Sequence, residues 1–252
     1  MKQLQIKDLI IGDGTPKICA PIIGSTEQMI LQQAENILHT CADLIEWRID
    51  FFEDFSNWEK VESTGKRLRQ LVKDTPLLFT FRTKQEGGQS DISKQEYRSL
   101  LTNAINSHLF DLIDIELFFD PEIVKSLISL GKEQNTHIIL SNHNFVSTPT
   151  KEEIVSRLNQ MEMVGADIAK IAVMPKTEDD VITLLSATIE QTKESKIPIV
   201  TMSMGQLGII SRICGTLTGS AITFGCVEHS SAPGQLKVNE LSQVLQIISE
   251  HK

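Results

Sequence analysis

Residues 112–143 read LIDIELFFDPEIVKSLISLGKEQNTHIILSNH, and their order decides the architecture. An apolar run, LIDIEL (112–117), precedes Asp120-Pro121. Then comes EIVKSLISLGKE and a second apolar run, HIILSNH (137–143). Proline suits the first turn of a helix, where its missing N–H has no intrahelical partner. Two apolar runs separated by such a helix predict parallel strands joined by a right-handed crossover. Outward from this unit the pattern repeats. KICAPII (17–23), LIEWRID (44–50), LLFTFR (77–82), IAKIAVM (168–174), PIVTMSM (198–204) and AITFGCV (221–227) bring the strand candidates to eight. Helix starts are signalled by Ser25 in STEQ, a capping-box pattern, by Thr150 before KEEIVSRLNQMEMV, and by Thr177 before EDDVITLLSATIEQ. Eight strand–helix units in about 235 residues predict an α/β chain folded as a (β/α)8 (TIM) barrel, a fold of about 250 residues. An open doubly wound sheet is the alternative, but no GxGxxG turn follows the first strand. The first 16 residues stand apart. QLQIKDLIIG, Asp13-Gly14 and TPKICAPII predict an N-terminal hairpin over 1–16, with Asp-Gly as the turn signal. No linker or low-complexity stretch divides the chain, so 1–252 reads as one domain.

Composition narrows the function classes. Apolar residues make up 40% and charged residues 23%, which excludes a disordered chain. The net charge of −9 weighs against a nucleic-acid partner. No apolar run is long enough to span a bilayer, and MKQLQIKDLI lacks a signal peptide's apolar block, so no membrane partner is expected. Cys19, Cys41, Cys214 and Cys226 show no CxxC spacing and no nearby histidine pair. Neither a zinc site nor a disulfide framework follows, and reduced thiols in a cytoplasmic protein are the expectation. The histidines are scattered and no Walker-type phosphate loop is present, so no metal and no cofactor are predicted.

Strands covered on both faces should be apolar throughout. Several here are not, and the exceptions cluster toward their C-terminal ends. Side chains at i and i+2 share a face. Glu46, Arg48 and Asp50 therefore share one, as do Thr80 and Arg82, Asp114 and Glu116, Ser141 and His143, and Met202 and Met204. Lys170 stands in the middle of IAKIAVM. In a barrel the C-terminal strand ends build the active site. Taken singly, each has a plainer reading: a snorkelling lysine, a hydrogen-bonded core histidine, a structural Glu46–Arg48 pair, packing methionines. Their coincidence on successive interior strands is what packing does not explain.

A neutral lysine amine attacks a ketone or aldehyde and forms a Schiff base. The iminium withdraws electrons and acidifies the adjacent carbon. A histidine titrating near neutrality can take that proton and return one to a leaving group. Lysine with histidine therefore points to aldol, elimination or isomerisation chemistry on a carbonyl compound. Arginines at the mouth point to an anionic substrate, because their fork pairs with carboxylate or phosphate.

EWRID (46–50), FTFRTKQEGG (79–88), DLIDIEL (111–117), SNHNF (141–145), KIAVMP (170–175), TMSMGQLGIISR (201–212) and TFGCVEHSSAPGQ (223–235) occur in order over nearly the whole chain. In this set the sequence resembles the type I 3-dehydroquinate dehydratases, Schiff-base hydro-lyases of the shikimate pathway of aromatic amino-acid biosynthesis. The resemblance implies an imine between Lys170 and the C3 ketone of 3-dehydroquinate. His143 would be the base for a C2 proton and the acid for the C1 hydroxyl, with Glu86 orienting it. Arg212 would bind the carboxylate. Glu46, Trp47, Arg48 and Arg82 would hold hydroxyls and shape the site. Ser231 and Gln235 would lie on a loop that closes over substrate, and Met202 and Phe224 would form apolar walls. The hairpin would close the barrel bottom, and a homodimer is expected. Two departures stand out: Pro21, where some members carry Ser, and Asn144, where others carry Asp.

A class I aldolase would share the barrel and the lysine, but sugar phosphates call for a Gly-rich phosphate site after the last two strands. TFGCVEHSSAPGQ offers a Ser-Pro-Gly loop instead. A barrel that merely binds a small acid would form no adduct at Lys170.

Overall fold

The structure is a computed structural model and describes residues 2–228 and 230–250. β1 (Leu4–Ile6) and β2 (Leu9–Ile11) pair antiparallel, with Ile6 opposite Leu9. The turn between them is Lys7-Asp8, where Lys7 adopts a left-handed φ of 52°. The hairpin thus lies within 1–16, but its turn is not Asp13-Gly14. β3 (Lys17–Ile22) has β10 (Ile222–Phe224) on one edge and β4 (Leu44–Arg48) on the other, so no edge remains for β2. Asp13-Gly14 instead bends the chain into β3.

β5 (Leu77–Thr80), β6 (Leu112–Glu116), β7 (His137–Asn144), β8 (Ile168–Val173) and β9 (Ile199–Ser203) extend a parallel sheet in the order β10-β3-β4-β5-β6-β7-β8-β9. The sheet closes between its ends. Ala221 N donates to Ile199 O at 2.7 Å, and Thr201 N donates to Ser220 Oγ at 3.0 Å, a hydroxyl standing in for a ladder carbonyl. Eight parallel strands alternating with helices form the barrel that the sequence predicts.

The helices are α1 (Glu27–Leu38), α2 (Trp58–Val72), α3 (Lys94–Asn106), α4 (Pro121–Glu133), α5 (Lys151–Val164), α6 (Glu178–Glu194), the short α7 (Ile209–Ile213) and α8 (Gly215–Thr218), and α9 (Val238–Glu250). Asp120, Thr150 and Thr177 cap α4, α5 and α6 through their side-chain oxygens. For α1 the cap is Thr26, not Ser25: its hydroxyl accepts from Met29 N, while Ser25 O is engaged by Glu53 N.

The core has two shells. Alternate strand residues, among them Ala20, Ile45, Trp47, Phe79, Ile113, Leu140 and Ile171, pack outward against the helices. The others point inward: Cys19, Leu44, Leu78, Leu112, Ile139, Ile168, Val200 and Ile222 form one apolar cluster with Ile6 and Ile11 of the hairpin. The hairpin therefore plugs the barrel at its N-terminal end. All four cysteines are free thiols. Among the described residues no helix is long and apolar enough to cross a membrane.

Candidate active site

Two residues above that apolar layer the inward positions change character. Leu44, Leu78, Leu112, Ile139 and Ile168 are followed at i+2 by Glu46, Thr80, Asp114, Ser141 and Lys170, all buried. The register sets these side by side: Thr80 pairs with Asp114, and Ser141 with Lys170. One layer higher come Arg48, Arg82, Glu116 and His143. Together with Glu86, Met202, Arg212, Phe224, Ser231 and Gln235, the inward residues Glu46, Arg48, Arg82, His143 and Lys170 line a cleft at the C-terminal strand ends.

Lys170 is 4% exposed. Its Nζ lies 3.2 Å from Asp114 Oδ2, 3.9 Å from Glu46 Oε1 and 4.6 Å from the centre of the Phe224 ring. Carboxylates thus hold it from the barrel interior and an aromatic face covers one side. Glu46 is itself fixed by Thr80, whose hydroxyl donates at 2.9 Å.

Arg82 follows β5 and is held by protein groups on both terminal nitrogens. Nη2 donates to Asp114 Oδ1 at 2.7 Å, and Nη1 to Glu116 Oε1 at 2.9 Å and Ser141 Oγ at 3.0 Å. Arg48 forks onto Asp50 with two bonds of 2.8 Å. Asp50 lies not in the strand but in a single 3-10 turn, 49–51, that curls its carboxylate back over Arg48.

A second 3-10 turn, 84–86, presents Glu86. It ends at Gly87 with a left-handed φ of 85°, which strains any side chain, and a Cβ there would fall 2.3 Å from the Phe145 ring and displace it. Glu86 Oε2 lies 2.9 Å from His143 Nδ1 and also accepts from His143 N at 2.9 Å. Burial, foremost, raises the Glu86 carboxyl to about 7, against the opposing pull of Arg82 and with a further push from Glu116. His143 moves the other way. Burial and then the cations Arg82, Lys170 and Arg48 hold it well below its usual range, so the imidazole is neutral at pH 7. With Nδ1–H given to an ionised Glu86, Nε2 carries a free lone pair.

Arg212 differs from its fellow cations. It is 1% exposed and donates only to carbonyls, Pro233 O at 2.9 Å and Phe224 O at 3.5 Å, while Nε has no partner. Burial without a facing carboxylate brings it down to about 10. It remains charged at neutral pH, a cation awaiting an anion.

A sequence profile of the type I 3-dehydroquinases matches residues 18–252. The chain belongs to the type I 3-dehydroquinase family. A 3-dehydroquinate dehydratase from Clostridioides difficile is 46% identical over 98% of this chain and 97% of its own. One from Clostridium botulinum is 45% identical over 100% of both. A crystal structure of the type I 3-dehydroquinate dehydratase from Clostridium difficile, with covalently modified comenic acid, superimposes with a TM-score of 0.97 over 100% of both chains.

Of the residues singled out for the type I 3-dehydroquinase site, Trp47 alone does not reach the cleft. It follows the inward Glu46, so its ring points outward, between Phe52, Phe79 and Phe110. Trp47 belongs to the strand–helix core. Pro21 shares its face with Cys19 but lines a separate small recess with Gln33 and Asn36. Asn144 turns its side chain back onto Val146 N and Ser147 N, a local turn rather than a site contact. Missed from the sequence are Gly87, Phe145, Ala172 and Ala232, which line the cleft. Ala172, two residues after Lys170, was within reach of the i+2 rule that paired Met204 with Met202, whereas loop residues carry no such period.

Proposed function

We propose that the chain eliminates water from 3-dehydroquinate, giving 3-dehydroshikimate, through an imine on Lys170. The observation that carries this is the Lys170 nitrogen and the Glu86–His143 pair opening on one cleft. Lys170 Nζ adds to the C3 carbonyl and water leaves, forming the iminium. His143 Nε2 takes a C2 proton, and the electron pair is stored as an enamine. The enamine expels the C1 hydroxyl as it receives a proton from the imidazolium, so one water departs. Hydrolysis of the conjugated iminium releases product and frees Lys170. Arg212 binds the C1 carboxylate, because it is the buried cation without a carboxylate of its own among the described residues. Glu46 and Arg48 face the ring hydroxyls, Met202 and Phe224 wall the ring, and Ser231 and Gln235 close over it. Arg82 acts chiefly by holding Asp114 and Glu116. No step requires a metal or cofactor. Support for the covalent step comes from the modified ligand in the Clostridium difficile relative.

Work in the cytoplasm and assembly as a homodimer complete the reading; sedimentation velocity tests the second. The chemistry is tested by His143→Ala. General acid–base catalysis is worth about 10²–10⁴-fold, so turnover should fall by that order while substrate still binds. Wild-type turnover would remove His143 from the mechanism.

A further inference from the structure

Behind the Glu86–His143 pair a second layer of polar contacts runs to the barrel surface. Glu86 Oε1, the oxygen not facing the imidazole, accepts from Asn142 Nδ2 at 3.0 Å. Asn142 Oδ1 in turn accepts from Arg157 Nη1 of α5 at 2.8 Å. Arg157 is pinned by Glu153, whose Oε1 takes Nε at 2.8 Å, and by the Phe118 ring, 5.3 Å from the guanidinium carbon. Asn142 is 5% exposed and lies on the outward face of β7, so it cannot touch a molecule in the cleft.

The chemistry of these three groups allows one arrangement. A guanidinium only donates, so the amide must turn its oxygen to Arg157. Its NH₂ group then faces Glu86. Were the amide reversed, two oxygens would oppose each other and the guanidinium would meet a donor. We infer that Asn142 and Arg157 are positioning residues for the reaction: Arg157 fixes the Asn142 amide, and the amide holds Glu86 as the acceptor for His143 Nδ1–H. This rests on the reading of His143 as the base.

The pH dependence follows with its sign. A protonated Glu86 would donate to Nδ1 and move the imidazole proton to Nε2, removing the lone pair that takes the C2 proton. Activity therefore rises with pH as Glu86 ionises. Arg82, Asn142 and the His143 N–H favour the carboxylate, while burial and Glu116 oppose it. Deleting the Asn142 donor, or releasing its amide by deleting Arg157, weakens the favourable side and shifts the acidic limb upward.

The test is the pH–rate profile of Arg157→Ala and Asn142→Ala with 3-dehydroquinate, beside His143→Ala. A hydrogen bond to a charged group is worth about tenfold or more. Both variants should lose about tenfold in kcat at pH 6, stay within about twofold of wild type at pH 9, and keep their KM. In a Glu86→Gln background, Arg157→Ala should cause no further change in the profile. An unshifted limb, or an equal loss at every pH, would overturn the inference, even with His143→Ala inactive. Full activity in His143→Ala would overturn the underlying reading instead.

Discussion

Four cations approach the cleft, and what each touches sorts their roles. Arg82 meets Asp114 and Glu116, Arg48 meets Asp50, and Lys170 meets Asp114 and Glu46. Arg212 meets only carbonyls. Truncating one partner of a buried charge pair costs about 2–5 kcal/mol. Arg212→Ala should therefore raise KM for 3-dehydroquinate by about 30-fold or more, with far-ultraviolet circular dichroism unchanged. A KM within about twofold of wild type would place the carboxylate elsewhere. Lys170, His143 and Glu46 were legible in the sequence because ionisable residues at inward strand positions violate burial. Trp47 was misread because it sits inside the EWRID motif, and a motif does not report which way each side chain faces. Asn142, though inside SNHNF, gave no hint of its role, which depends on Glu86 from a loop and Arg157 from a helix.

Among the elements, the segment after β10 does most to complete the cleft. Ser231 N donates to Gln235 Oε1, and Gln235 Nε2 donates back to Ser231 Oγ. Pro233 O accepts from both Gly205 N and Arg212 Nη2, tying the segment to β9's exit and to the proposed carboxylate site. Gly234 makes this possible: its φ is 77°, and a Cβ there would lie 2.4 Å from Gly205 O. Forcing a side chain into such a conformation costs about 1–3 kcal/mol. Gly234→Ala should accordingly lower kcat/KM by about tenfold while far-ultraviolet circular dichroism is unchanged; activity within twofold of wild type would show that this closed arrangement is dispensable. Element boundaries were legible where one residue sets them, as with Asp120, Thr150 and Thr177. They slipped where neighbours compete. Ser25 and Thr26 both suit a cap, and only the long-range bond from Glu53 N decides. Asp13-Gly14 is a sound turn signal, but β3 has no edge to offer.

For the molecule as a whole, the decisive feature is a change of polarity along the barrel axis. Hairpin and lower strand residues make an apolar plug; two residues higher five of the strands, β4 to β8, turn polar, and Lys170 sits at the boundary. This gradient was readable from the sequence, since i, i+2 arithmetic on five consecutive strands needs no coordinates. The Ala221–Ile199 closure and the Ser220 hydroxyl that completes it were not, because each strand's pattern is the same in an open sheet. The gradient places one amine, Lys170, where it is buried yet open to a ketone. Borohydride reduction of the protein with 3-dehydroquinate, followed by peptide mass mapping, shows whether that amine carries the imine. One reduced adduct is expected, on Lys170, and none in Lys170→Ala; an adduct on another lysine, or turnover by Lys170→Ala at the wild-type rate, would rule out Lys170 as the imine-forming residue.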